Sequence, residues 1–186
     1  DGVTPVEETM QALIDIVKQG KALYVGISKY PPAQAKIAYE MLRAAGVPCL
    51  ISQYRYSMFD RTVEEKSLPL AAEQGSGFIA FSPLAQGLLT KKYLHGIPEH
   101  SRAARSTGFL KVDQVTEDKV GKARRLDEIA ARRGQTLAEM ALAWVLKDER
   151  MTSVIVGTSS VKQLADNLHA LDNLNFTNEE LAEICL

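Results

Sequence analysis

This sequence predicts an α/β fold built on a parallel sheet, and three observations carry that expectation. Short apolar runs rich in strand formers recur four times, over residues 22–28, 49–54, 78–81 and 153–156. Amphipathic stretches with helical spacing stand between them, and alternation of this kind implies parallel strands joined by helical crossovers. The runs end in hydrogen-bonding residues, namely Ser28, Gln53, Ser82 and Gly157-Thr158-Ser159. The carboxyl end of a parallel strand is where such folds keep their ligand sites.

Local signals justify each element in order. Thr4-Pro5-Val6-Glu7 is a capping box with proline at the first helical position. Val6, Met10, Leu13, Ile14 and Val17 then share one helical face, and Gly20 ends the helix in a left-handed cap. The run over residues 22–28 reads as a buried parallel strand. Pro31-Pro32 opens a second helix with Ile37, Ala38, Met41, Leu42 and Ala45 inward, and Gly46 ends it. After the second strand, residues 60–74 form a third helical segment, with Thr62 and Glu65 as a capping box. Pro69 lies inside it. Proline costs about 3 kcal/mol in a helix interior, so the segment breaks, or truly starts, near that residue.

The third strand leads into a connection over residues 84–115 that holds Gly87, Lys91-Lys92, Gly96, Pro98, Arg102, Arg105 and Gly108. Connections this long commonly serve as lids or binding loops. A charged amphipathic helix follows over residues 116–133, with Val120, Ala123, Ile129 and Ala130 inward, and Thr136 to Glu139 caps the next. The fourth strand passes through Gly157-Thr158-Ser159-Ser160 into a helix bearing Leu164, Leu168 and Leu171, and Thr177 to Glu180 caps a last short helix. A helix followed by four strand–helix units is half of a (β/α)8 TIM barrel, a fold of about 250 residues when complete. Half a barrel leaves two strand edges and an apolar sheet face open, so self-association or pairing with a complementary half is expected.

The length of 186 residues suits one partial domain over 1–186. A formal net charge of −1 argues against broad nucleic-acid binding, which needs a basic face. Cys49 and Cys185 offer neither a disulfide framework nor a metal-ligand spacing, and His95, His100 and His169 form no cluster. No apolar run approaches a membrane span and no signal-peptide pattern opens the chain, so membrane insertion is not expected and a cytoplasmic location is. The first residue, Asp1, is not an initiator Met, which suits either a processed domain or a missing N-terminal portion.

The polar strand ends contain no nucleophile–base pair and suit the holding of an amide, hydroxyls and phosphates. Plainer readings stand beside this one. A serine at a strand end caps a helix more often than it meets a ligand. Phe81 is core unless its ring faces the barrel mouth, and Lys91-Lys92 by spacing alone is a solvated pair. Gln53 is harder to dismiss, because a buried amide needs partners. Barrels place phosphate sites after strands seven and eight, which in a C-terminal half selects residues 82–87 and 157–160. At the second of these, backbone N–H groups open a helix and can face an anion.

The same residues carry a family resemblance. G-K-A-L-Y-V-G-I-S from Gly20, Q-Y-R-Y-S-M-F from Gln53 and F-S-P-L-A-Q-G-L-L-T from Phe81 are the first three carriers. G-I-P-E-H-S-R from Gly96, A-L-A-W-V-L from Ala141 and V-G-T-S-S-V-K-Q-L-A-D-N from Val156 complete the series. In this order they resemble the C-terminal half of an aldo-keto reductase, in particular the bacterial L-glyceraldehyde 3-phosphate reductase group, with potassium-channel β-subunits as nearby relatives.

The resemblance implies a (β/α)8 barrel that transfers hydride from NADPH to the carbonyl carbon of a small aldehyde or ketone. It implies that Ser28 and Gln53 bond the nicotinamide carboxamide and that Phe81 stacks on the ring. Ser82, Leu84 and Gly87 would line the pyrophosphate with Lys92 nearby, and Arg102 would lie beside the adenosine. Gly157, Ser159, Gln163, Asp166 and Asn167 would surround the adenine and its ribose phosphate. It also implies that this chain holds no catalytic residue. The family tetrad of Asp, Tyr, Lys and His belongs to the N-terminal half, and residues 1–9 match the segment just past the tetrad His. The missing N-terminal half is thereby an expected partner, and a channel β-subunit-like regulatory protein is the alternative function. One position departs from the pattern: the family has Ser-Asn where this chain has Ser28-Lys29.

Overall fold

A computed structural model describes residues 3–104 and 109–185. Asp1, Arg105 and Gly108 lie outside these residues. The chain divides into two compact units.

The first unit runs to Arg55 and takes in Arg61–Phe81 and Arg150–Ser153. It holds α1 (Val6–Lys18), β1 (Val25–Ser28), α2 (Pro32–Ala44), β2 (Cys49–Arg55), α3 (Ser67–Glu73) and β3 (Gly77–Phe81), with the first residues of β4 (Met151–Ile155). The four strands form one parallel sheet in the order β1-β2-β3-β4. Its helices end as their glycines require. Gly20, Gly46 and Gly75 each take positive φ, and the two N–H groups at each stop return to carbonyls of the last turn. Gly26 has a different reason to be glycine: a Cβ there would stand 2.7 Å from the Ile51 carbonyl oxygen of the neighbouring strand.

Register sorts the sheet into two faces. Ile27 pairs with Ser52 and Ser52 with Phe78, and Tyr54 pairs with Ala80. All five are buried, together with Met10, Leu42 and Leu68 of the helices. The other face carries Gly26, Ser28, Ile51, Gln53, Ile79 and Phe81, which are half-buried or exposed. Polar groups on the packed face satisfy one another: the Tyr39 hydroxyl lies 2.6 Å from Ser52 Oγ, which lies 3.0 Å from Ser76 Oγ.

Three expectations for this unit need correction. The first strand begins at Val25, not at residue 22, because Leu23 and Tyr24 are exposed at 83% and 68% and only Val25 and Ile27 face the core. Pro5 is the N-cap residue of α1 and not its first helical residue, so the helix begins one position later than expected, at Val6. Residues 62–66 are turns without a helix, so the Thr62–Glu65 cap does not form. The helix starts instead at Ser67, which puts Pro69 in the first turn, where its missing N–H has no intrahelical partner to lose.

The second unit comprises Tyr56–Asp60, Ser82–Glu149 and the chain from Val154 onward. Its helices are α4 (Glu117–Arg132), α5 (Leu137–Leu146), α6 (Val161–Leu168) and α7 (Asn178–Ile184). Thr116, Thr136, Ser160 and Thr177 cap them, and Glu139 and Glu180 complete two capping boxes. Helix α5 is buried nearly all round, with Trp144 packed 5.5 Å from Tyr56. The long connection holds a small apolar cluster. Leu88, Tyr93, Ala103 and Leu110 bury one another, with Phe59, Ala85, Ile97 and Val115 packed against them. Leu164 and Leu168 of α6 are exposed, as is Leu171 in the 3-10 turn that follows it. The fourth strand starts two residues before its expected limit, at Met151.

Candidate functional site

Three of the thirteen expected site residues, Ser28, Gln53 and Phe81, belong to the first unit, and all three lie on the less covered face of the sheet. Ser28 ends β1 opposite Gln53 in register. The Ser28 hydroxyl and the Lys29 N–H both donate to the Gln53 carbonyl, at 3.2 and 3.0 Å. The Gln53 side-chain amide makes no hydrogen bond among the described residues and stands free on that face. Phe81 lies on the same face, while its neighbours Phe78 and Ala80 fill the core. The Arg55 guanidinium lies 5.9 Å from the Phe81 ring centre, a contact that sequence reasoning did not find.

Lys29 follows β1 with φ of 60°. That left-handed conformation costs an L-residue about 1–2 kcal/mol, and asparagine tolerates it best among non-glycine residues. The family Asn at this position therefore has a backbone reason. Lys29→Asn is expected to stabilise the chain by about 1 kcal/mol, read as a higher urea midpoint at unchanged slope. A lower midpoint would show that the lysine has a compensating contact.

The other ten lie in the second unit. Ser82 leaves β3 with φ of 54°, and Ala85, Gln86 and Gly87 follow at 46°, 59° and 103°. Lys29, Ser82, Ala85 and Gln86 are all the described non-glycine residues of positive φ, and all stand just past the carboxyl ends of β1 and β3. Backbone held this way concentrates at functional sites. The turn closes on Leu84, whose carbonyl accepts the N–H groups of Gly87 and Leu89 at 2.8 and 3.2 Å. The adjacent lysines differ. Lys91 pairs with Asp127 at 3.7 Å, whereas Lys92 is exposed and pairs with no carboxylate among the described residues.

Arg102 is likewise exposed and unpaired among these residues, and its guanidinium would stand 3.5 Å from a Cβ on Gly157. In the loop before α6, the Ser159 N–H and hydroxyl both donate to Gln163 Oε1, at 2.9 and 3.2 Å. One backbone donor expected to face an anion is thus already occupied by Gln163. Ser160 caps the helix, and Asp166 pairs with Lys162 at 2.9 Å. Asn167 is 8% exposed, and its Nδ2 donor is buried with no partner. An orphaned amide donor of this kind needs an acceptor from outside the described residues. Among the described residues the second unit thus holds two exposed cations without a carboxylate partner, Lys92 and Arg102, and a buried amide donor without an acceptor, Asn167. A groove of about 580 Å³ around Arg133, Thr136, Glu139 and His169 shares no residue with this set. No cluster of described residues could hold a metal ion, and no described helix is long and apolar enough to cross a membrane.

Against known proteins, the model of the Aldo/keto reductase family matches residues 1–185. The chain belongs to the aldo/keto reductase family. It is similar to L-glyceraldehyde 3-phosphate reductase of Escherichia coli O157:H7, with 48% identity over 188 aligned positions covering 99% of this chain and 54% of that protein. For the protein of the same description from Escherichia coli strain K12 the identity is 47%, with the same coverage. The chain thus spans about half the length of the curated relatives it matches. A four-stranded parallel sheet with helical crossovers is what half of an aldo/keto reductase barrel holds.

Proposed function

We propose that this chain is the NADPH-binding half of an aldo/keto reductase acting on small aldehydes or ketones. Ser28 and Gln53 bond the carboxamide of the nicotinamide and Phe81 supports its ring. Ser82, Leu84, Gly87 and Lys92 bind the pyrophosphate, and Arg102 adds charge beside the adenosine. Gly157, Ser159, Gln163, Asp166 and Asn167 take the adenine and its ribose phosphate. The observation that carries this reading is the set of left-handed residues past β1 and β3, followed by the unpaired Lys92. When bound, NADPH supplies the hydride for a carbonyl carbon. The family proton donor, a Tyr with its Asp, Lys and His, belongs in this reading to the N-terminal half that pairs with the chain. Tyr54 is unsuited to that role: its hydroxyl donates to the Tyr30 carbonyl at 2.7 Å, and burial pushes its pKa up to about 12.

Titrating the chain with NADPH, followed by the cofactor's fluorescence, is expected to saturate. Adding glyceraldehyde is then expected to leave the nicotinamide absorbance unchanged over the time a complete reductase would consume it. Unaltered fluorescence at every concentration rejects the cofactor reading, and rapid turnover rejects the assignment of the tetrad elsewhere.

A further inference from the structure

Thr90 is not among the residues expected to meet the cofactor, yet it joins two that are. Its hydroxyl donates to the Gly87 carbonyl at 2.7 Å and accepts the Lys92 N–H at 3.2 Å. One short side chain therefore ties the left-handed turn to the residue that presents the unpaired ammonium. The segment is held beyond Lys92 as well. Arg124 of α4 donates from Nε and Nη2 to the Leu94 carbonyl, at 3.1 and 2.9 Å, and Lys91 reaches Asp127 of the same helix. Tyr93 is 1% exposed, and its ring would stand 3.3 Å from a Cβ on Gly87. Residues 87–94 are thus fixed at both ends and through the middle. A ligand that meets a turn already ordered loses less free energy in ordering it.

We propose that Thr90 is a positioning residue for NADPH: by bonding Gly87 and Lys92 together it holds the Lys92 backbone where its ammonium meets the pyrophosphate. This inference rests on the cofactor reading above. Thr90→Val keeps the shape and removes both hydrogen bonds. It is expected to weaken NADPH binding about tenfold, while Thr90→Ser, which keeps the hydroxyl, stays within about twofold. Because the effect passes through Lys92, Thr90→Val made in a Lys92→Gln background should weaken binding by less than about threefold.

The measurement is NADPH fluorescence titration of the full chain and its four variants, with the unfolding midpoint of each recorded without cofactor. Should Thr90→Val not fold, Thr90→Ala carries the same expectation. Failure of the wild-type chain to bind NADPH overturns the cofactor reading and this inference with it. Wild-type binding with an unchanged Thr90→Val affinity overturns the inference alone. So does a Thr90→Ser chain as weak as Thr90→Val, or an undiminished tenfold effect in the Lys92→Gln background.

Discussion

Arg133→Met is expected to destabilise the chain by about 3–5 kcal/mol, measured by urea denaturation. Arg133 is the C-cap residue of α4, and its side chain is only 2% exposed. Its Nη1 donates to Glu180, Nη2 to the carbonyls of Asn175 and Asn173 at 2.8 and 3.4 Å, and Nε to Gln135 at 2.9 Å. The guanidinium also lies 3.7 Å from the centre of the Phe176 ring. Methionine fills the volume but removes the Arg133 donor from each acceptor, leaving Asn173, among the described residues, only the Gln135 amide and the Glu180 carboxylate only the Thr177 N–H. Lys is expected to recover less than half of the loss, since one ammonium cannot reproduce a planar fork on a ring face. The neighbouring Arg132 is the control. It also pairs with a glutamate of α7, Glu183, but the two are 58% and 52% exposed. Arg132→Ala is expected to cost less than about 1 kcal/mol. Equal losses at the two arginines would show that burial does not set the difference.

Raising the pH from about 9 to about 11.5 is expected to remove roughly 2 kcal/mol of stability through Tyr54. Burial is the first cause that lifts its pKa to about 12, and the nearby Tyr39 phenol adds to it. A phenol ionises near 10 when unfolded, so the folded state holds its proton over a wider range. The contribution is therefore complete below pH 10 and disappears as pH climbs towards 12. Tyr39, also buried, moves in the same direction. Lysines titrate in this range too, so the decisive measurement is the difference between the chain and Tyr54→Phe. That variant lacks the bond to the Tyr30 carbonyl at every pH, but its urea midpoint should fall less between the two conditions. Parallel falls would place the alkaline loss in other groups.

Much of this fold could be read from its sequence because short-range chemistry decides it. Thr136 with Glu139 and Thr177 with Glu180 cap helices as their spacing requires, and the glycines at 20, 46 and 75 stop helices in the left-handed region. Pro69 marked the late start of α3 for a steric reason that needs no tertiary context. What could not be read depends on partners distant in sequence. Leu23 and Tyr24 have strand-forming side chains, but no helix of their unit covers them. The leucines of α6 look like a core stripe until their exposure is known. In the site, the residue types at the strand ends were legible, whereas Thr90, Arg124 and Arg55 gain their roles only from the carbonyls and ring they meet. The different fates of Lys91 and Lys92 depend on Asp127, thirty-odd residues away.

The single tryptophan of the chain lies in the second unit, boxed between the Tyr56 ring and the Lys147 ammonium, 3.9 Å from its own ring centre. Four of the six tyrosines, Tyr24, Tyr30, Tyr39 and Tyr54, lie in the first unit. The molecule therefore carries two native optical labels. Indole emission follows the second unit alone, and phenolate absorbance is weighted towards the first. Because two-state unfolding demands that all probes trace one curve, superimposing these two signals tells which unit melts first without attaching any dye.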